Sequence, residues 1–147
     1  MAIDTLAHIA KPLSSSISND ELQSINEHLH TLSAQEILRW GVDYLPNLFQ
    51  TTAFGLTGLV QLDMLSKLFG APLPLIFVDT LYHFEETLQL VDQVEKRYGC
   101  RVHVYKPEGC STASEFESKH GERLWESDEK SYDYLVKVCC LSGAHIE

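Results

Sequence analysis

Positive charge is scarce in this chain. Its 147 residues hold 11 lysines and arginines against 21 aspartates and glutamates, a formal net charge of −10. A surface of that sign repels a nucleic acid duplex and an anionic membrane alike, which argues against both as partners. A small anionic ligand does not fall with them, because a local pocket of backbone N–H groups can oppose the global sign. Long apolar runs are also missing, and none reaches the roughly 20 residues that a membrane-spanning helix needs. The opening stretch MAIDTLAHIAKPLSSS has no basic leader and is interrupted by Asp4, so it does not read as a secretory signal. Cysteine is sparse. Cys100, Cys110, Cys139 and Cys140 make no disulfide framework in a chain this long, and a reducing cytoplasm is the expected location.

What is present suffices for one domain. Apolar residues make up 44% of the chain, enough for a packed core. Residues 1–17 read as a loose lead-in. Ser18 with Glu21 and Ser33 with Glu36 fit capping boxes. Leu22, Ile25, Leu29 and Leu32, then Ile37, Leu38 and Trp40, place amphipathic helices at 19–30 and 34–43. The period then changes. Residues 47–53 read as a strand and 57–69 as a helix. PLIFVD, 74–79, reads as a strand buried on both faces. Residues 85–98 form a helix stopped by Gly99, and RVHVY, 101–105, a third strand. A further helix is expected at 112–120. The order β-α-β-α-β with short connections argues a parallel, doubly wound α/β sheet. Such sheets bind ligands beyond the carboxyl ends of their strands. The first two strands deliver TTAFG and DTLYHF to that edge.

The first motif is a glycine-containing turn into a helix. Gly55 permits a positive φ and a close backbone approach. Leu56, Thr57 and Gly58 open the helix, so their N–H groups lack intrahelical acceptors and can bind a phosphate or sulfate. The hydroxyls of Thr51, Thr52 and Thr57 add donors. A βα turn with no ligand fits the same residues. No Gly-Lys pair is present, which argues against a P-loop NTPase. In the second motif, Asp79 could accept from sugar hydroxyls or cap the next helix. Thr80 could be that cap. His83 could meet an anion or simply pack.

Together TTAFGLTGL, LIFVDTLYHFEETL and VHVYKPEGC closely resemble the phosphoadenylyl-sulfate (PAPS) reductase family, its fungal members above all, over roughly residues 45–138. The resemblance implies an adenine nucleotide α-hydrolase-like (PP-loop) fold. It implies reduction of 3′-phosphoadenylyl sulfate to sulfite and adenosine 3′,5′-bisphosphate in sulfate assimilation, with thioredoxin as reductant and a homodimer as the assembly. By carry-over, Thr51, Thr52, Ala53, Phe54, Gly55, Leu56, Thr57 and Gly58 line the phosphosulfate site. Asp79, Thr80, His83 and Phe84 shape the nucleotide site beside it. ATP pyrophosphatases of the same superfold carry an SGGxDS loop. Here Thr57 stands at the aspartate and Gly58 at the last serine, which disfavours magnesium-assisted ATP cleavage.

The same resemblance points to what is not in these residues. The family's nucleophilic cysteine sits in a Glu-Cys-Gly-Ile/Leu-His motif. There a thiolate attacks the substrate sulfur to give an S-sulfocysteine, which thioredoxin resolves. No such motif occurs here. After Lys137-Val138 the tail CCLSGAHIE departs from the family pattern, as a truncation or altered reading frame would make it. The expected division is therefore 18–138 as a truncated nucleotide-binding domain and 139–147 as an atypical tail. Cys139-Cys140 without a later Cys-x-x-Cys cannot supply the four ligands of a [4Fe–4S] cluster, so no cofactor is expected. Cys100 and Cys110 read as small half-buried side chains. Three parallel strands leave an open sheet edge, so self-association is expected. The readings to separate are a reductase inactive alone, a non-catalytic adenylyl-nucleotide module or dimer partner, an ATP-cleaving ligase, and a structural domain.

Overall fold

Two serines set the start of the helical layer. In the computed structural model, which describes residues 12–13 and 16–142, Ser18 accepts from the Glu21 N–H and the Glu21 carboxylate accepts back from Ser18. Ser33 and Glu36 repeat this box. They open α1, Asn19–Leu29, and α2, Ala34–Tyr44, within a residue of the expected bounds. Most of the 1–17 lead-in, and residues 143–147 of the tail, lie outside the described residues.

The sheet is parallel, with order β1-β2-β3: Gln50–Thr51, Leu75–Val78 and Val102–Tyr105. β1 is much shorter than the expected 47–53. Asn47 and Phe54 take left-handed φ values of 52° and 56°, which bends the chain out of the ladder at both ends. Pairing still reaches one residue beyond β1, because Thr52 N–H donates to the Ile76 carbonyl at 2.9 Å. β2 is buried on both faces, as its unbroken apolar run requires. The crossover helices are α3, Leu56–Phe69, and α4, Glu85–Tyr98. Glu85 and Glu86 begin α4 and Lys96 and Arg97 end it, matching its dipole, and Gly99 closes it at φ 61° as expected. The N-cap of α4 is Phe84 and not Thr80, because the DTLYHF segment first makes its own turn.

Successive strand residues face opposite sides of the sheet, and the side chains on one of those sides enter a single core cluster. Leu75 and Phe77 pack with Phe54, Leu62, Val94 and Val102. A second cluster joins Cys110, Phe116 and Val136 to Leu81, Tyr82 and Tyr132. Cys110 lies deeper than expected, fully inside this cluster. The cluster draws on α5, Ala113–His120, α6, Leu124–Ser127, α7, Glu129–Asp133, and a π-helical turn at Tyr134–Val138, and α8, Cys139–Ser142, follows that turn. The elements after α5 carried no clear period in the sequence. The two outer strands differ. The outward N–H of Val102 on β3 donates to Glu95 of α4 at 2.7 Å, which blunts that edge. Among the described residues no helix is long and apolar enough to cross a membrane.

Tyr82 is the polar risk in the second cluster. Its hydroxyl donates to Glu117 at 3.2 Å, and its ring stands edge-on to Trp125 at 4.8 Å. Burial, and then the Glu117 carboxylate, push its pKa from 10.0 to about 12. A phenol held neutral by the fold stabilises it below pH 10 and ceases to do so as pH climbs toward 12. Tyr82→Phe should therefore flatten the alkaline loss of stability in that window, read from urea midpoints at several pH values. A spectrophotometric titration should lose its last-ionising phenol in the variant.

Candidate functional site

The carboxyl edge of β1 and β2 opens onto a cleft of about 430 Å³. Thr51, Thr52 and Ala53 line it from the first motif and Thr80 and His83 from the second. Ile76 and Val78 form its apolar floor, and Lys137 reaches it from the π-helical turn. Five expected site residues are thus brought together around one space. The other seven are not lining residues of it. Phe54 is buried beneath, Gly55 to Gly58 begin α3, Phe84 stands 80% exposed as the N-cap of α4, and Asp79 is buried.

The loop is shaped differently from the glycine-centred turn that the sequence suggested. Gly55 has an extended conformation, φ −65° and ψ 165°, and serves as the N-cap of α3. The left-handed residue is Phe54. A left-handed conformation costs a non-glycine residue about 1–3 kcal/mol. Core packing offsets this: the Phe54 ring is buried and lies 5.4 Å from that of Phe77, and full burial of a phenylalanine contributes about 1.5–3 kcal/mol. Thr52 completes the turn by accepting the Phe54 N–H at 2.9 Å. Gln50 then ties strand to helix, donating from Nε2 to the Gly58 carbonyl at 2.8 Å.

No side chain caps α3. Its first N–H groups therefore meet solvent at the carboxyl edge of the sheet, where the helix dipole favours an anion. Leu56 is 81% exposed and makes no core contact that would hinder approach. A Cβ built on Gly55 would meet nothing within 4 Å, so the space beside this residue is open.

His83 lies on the Phe77 ring at 4.9 Å, and its Nε2 is 3.2 Å from the Val78 carbonyl. A carbonyl only accepts, so this contact requires the proton on Nε2. His83 packs, and it also borders the cleft. Lys137 donates to Asp133 at 2.5 Å, and that hydrogen bond raises the lysine pKa, so the ammonium stays charged. Lys137 was missed in the sequence, as were Gln50 and Lys106. The only hint for Lys137 was its place in the Lys-Val segment. Among the described residues no group of three or more His, Cys, Asp or Glu side chains could hold a metal ion.

A parallel α/β sheet with an uncapped helix start beside a cleft at its carboxyl edge is the arrangement of an α/β domain that can take an anion at that edge. Residues 47–144 match the phosphoadenosine phosphosulfate reductase domain. The chain belongs to that family. It is 59% identical over 122 residues to phosphoadenosine phosphosulfate reductase of Emericella nidulans, covering 80% of this chain and 40% of that protein. It is 49% identical over 130 residues to the reductase of Saccharomyces cerevisiae, covering 83% and 49%. A crystal structure of PAPS reductase from Candida auris, solved as a phosphate complex, superimposes with a TM-score of 0.78 at 51% identity, covering 88% of this chain and 63% of that one. The fold is thus the adenine nucleotide α-hydrolase-like one. The chain spans about half the length of the curated relatives it matches.

The two loop glycines should respond differently to alanine. A Cβ on Gly58 would lie 2.7 Å from Thr52 Oγ1. Turning Thr52 away would strand the Phe54 N–H that it accepts. Gly58→Ala should cost about 1–2 kcal/mol, an unmade buried hydrogen bond less the helix propensity gained. Gly55→Ala should cost under about 0.5 kcal/mol. Urea denaturation of both variants measures the difference.

Proposed function

We propose that this chain is the nucleotide-holding portion of a PAPS reductase. In the complete enzyme, 3′-phosphoadenylyl sulfate is reduced to sulfite and adenosine 3′,5′-bisphosphate, with thioredoxin as electron donor, in cytoplasmic sulfate assimilation and as a homodimer. The observation that carries this reading is the uncapped start of α3 beside a cleft bearing Thr51, Thr52, Thr80, His83 and Lys137. Oxygen-rich anions suit backbone N–H groups, hydroxyls and an ammonium at once. The phosphate complex of the Candida auris relative supports an oxyanion as ligand.

In this reading Thr51 to Gly58 meet the phosphosulfate end, with the Gly55 backbone closest. Thr80 and His83 flank the nucleoside, and Phe84 offers an exposed ring beside it. The 147 residues contain no Glu-Cys-Gly-Ile/Leu-His motif. The thiolate that would attack the sulfur is therefore absent from this polypeptide. By itself it binds without turnover. The second reading is a non-catalytic module or dimer partner.

Calorimetric titration with adenosine 3′,5′-bisphosphate tests this. Binding is expected, with no thioredoxin-dependent sulfite release from 3′-phosphoadenylyl sulfate. Gly55→Val should abolish binding in a folded chain, because its extended backbone and open surroundings admit valine while the ligand's approach is blocked. Lys137→Gln should weaken binding about tenfold, the loss of one charge-assisted hydrogen bond. A folded chain that fails to bind the bisphosphate would rule out a self-sufficient module. Retained affinity in Gly55→Val would displace the ligand from the loop.

A further inference from the structure

Asp79 is the buried acid of the carboxyl edge. Only 5% of its surface is exposed, and it does not line the cleft. Strand alternation explains this: Ile76, Val78 and Thr80 take the cleft side, so Phe77 and Asp79 take the other. Both carboxylate oxygens are engaged. Oδ1 accepts the Leu81 N–H at 2.9 Å, and Oδ2 lies 3.2 Å from Nζ of Lys106, the residue just after β3. Leu81 is left-handed, with φ 70°. An Asx turn is one of the few local devices that holds a leucine there. Beyond that turn the chain reverses, and His83 returns onto Phe77 and the Val78 carbonyl.

We propose that Asp79 is a positioning residue and not a nucleotide ligand: paired with Lys106, its carboxylate pins the left-handed Leu81 turn and so sets Thr80 and His83 against the cleft. This rests on the proposed nucleotide site, but its first readouts do not need the nucleotide. The lysine is the more exposed partner, with 45% of its side chain in solvent against 7% for the aspartate. Removing the acid's charge leaves a lysine that can turn to water. Removing the lysine leaves a buried carboxylate unpaired.

The test compares Asp79→Asn, Asp79→Ala and Lys106→Gln in the full chain. Leu81 amide exchange and the His83 ring resonances are followed by NMR, and adenosine 3′,5′-bisphosphate affinity by calorimetry. Asp79→Asn keeps an acceptor for Leu81. It should leave exchange and affinity within about fivefold and the ring resonances in place, because the amide oxygen still accepts the Leu81 N–H, a neutral hydrogen bond in place of a charge-assisted one. Asp79→Ala should speed Leu81 exchange more than about tenfold, shift the His83 resonances off the Phe77 ring, and weaken the bisphosphate by a similar factor. Lys106→Gln should also speed Leu81 exchange, and it decides the matter if the alanine variant does not fold. Lost affinity in Asp79→Asn with Leu81 and His83 undisturbed would make Asp79 a ligand and overturn the proposal. So would Leu81 exchange that stays slow in Asp79→Ala or, where that variant is unfolded, in Lys106→Gln. If the parent chain binds no bisphosphate, the nucleotide reading fails alone, and the exchange and ring-shift results still decide the role of Asp79.

Discussion

Phe77 has no exposed surface, and both loops at the carboxyl edge lean on it. Phe54 of the first loop packs 5.4 Å from its ring, and His83 of the second packs 4.9 Å from it. Each loop contains a residue forced into the left-handed region, Phe54 in one and Leu81 in the other. Neither is glycine, so neither turn is stable by itself. An aromatic pair adds about 0.5–1.5 kcal/mol beyond burial, the same order as the strain it must offset. The cleft is thus held open by core packing. Its geometry depends on rings buried beneath it.

The alternation of β2 then sorts the functional side chains. Ile76, Val78 and Thr80 face the cleft, while Leu75 and Phe77 face α3 and α4. Asp79 falls on the core side by the same parity and meets Lys106 there. One strand therefore supplies floor, core and turn support in consecutive residues. A slip of one residue would exchange those roles at once. The register is fixed by four residue pairs with β3, from Leu75 opposite Val102 to Val78 opposite Tyr105.

Much of this was legible in the sequence because its causes are local. Both capping boxes, the stop at Gly99 and the helical periods of α1 to α5 depend on residues within four positions of one another. The two motifs were legible as a site because each follows a strand in a parallel order. What could not be read is long-range or three-dimensional. Lys137 reaches the cleft from a π-helical turn about eighty residues after the loop it faces, and Lys106 reaches Asp79 from the end of the neighbouring strand. Gly55 could take a positive φ most easily, because glycine tolerates it best. The chain instead strains Phe54, because burial of that ring outweighs the strain. The short elements after α5 were lost because a helix of four or five residues displays no full period.

Charge at the edge follows from these partners. The chain carries a net −10, yet Lys106 and Lys137 both stand at the carboxyl edge of its sheet. They are not equivalent. Lys106 is committed to a buried carboxylate, and drawing it toward a ligand would leave Asp79 uncompensated, a large penalty. Lys137 is paired to Asp133, which is itself 46% exposed. Such surface pairs contribute only about 0–1 kcal/mol, so an incoming anion can take this lysine at small cost. The start of α3 has no side-chain rival at all. The division of labour that follows is physical. In the proposed site the fixed N–H groups of α3 would set where an oxyanion sits, Lys137 would supply mobile charge that can swing to it, and the Asp79–Lys106 pair would stay out of the exchange to keep the second loop in place.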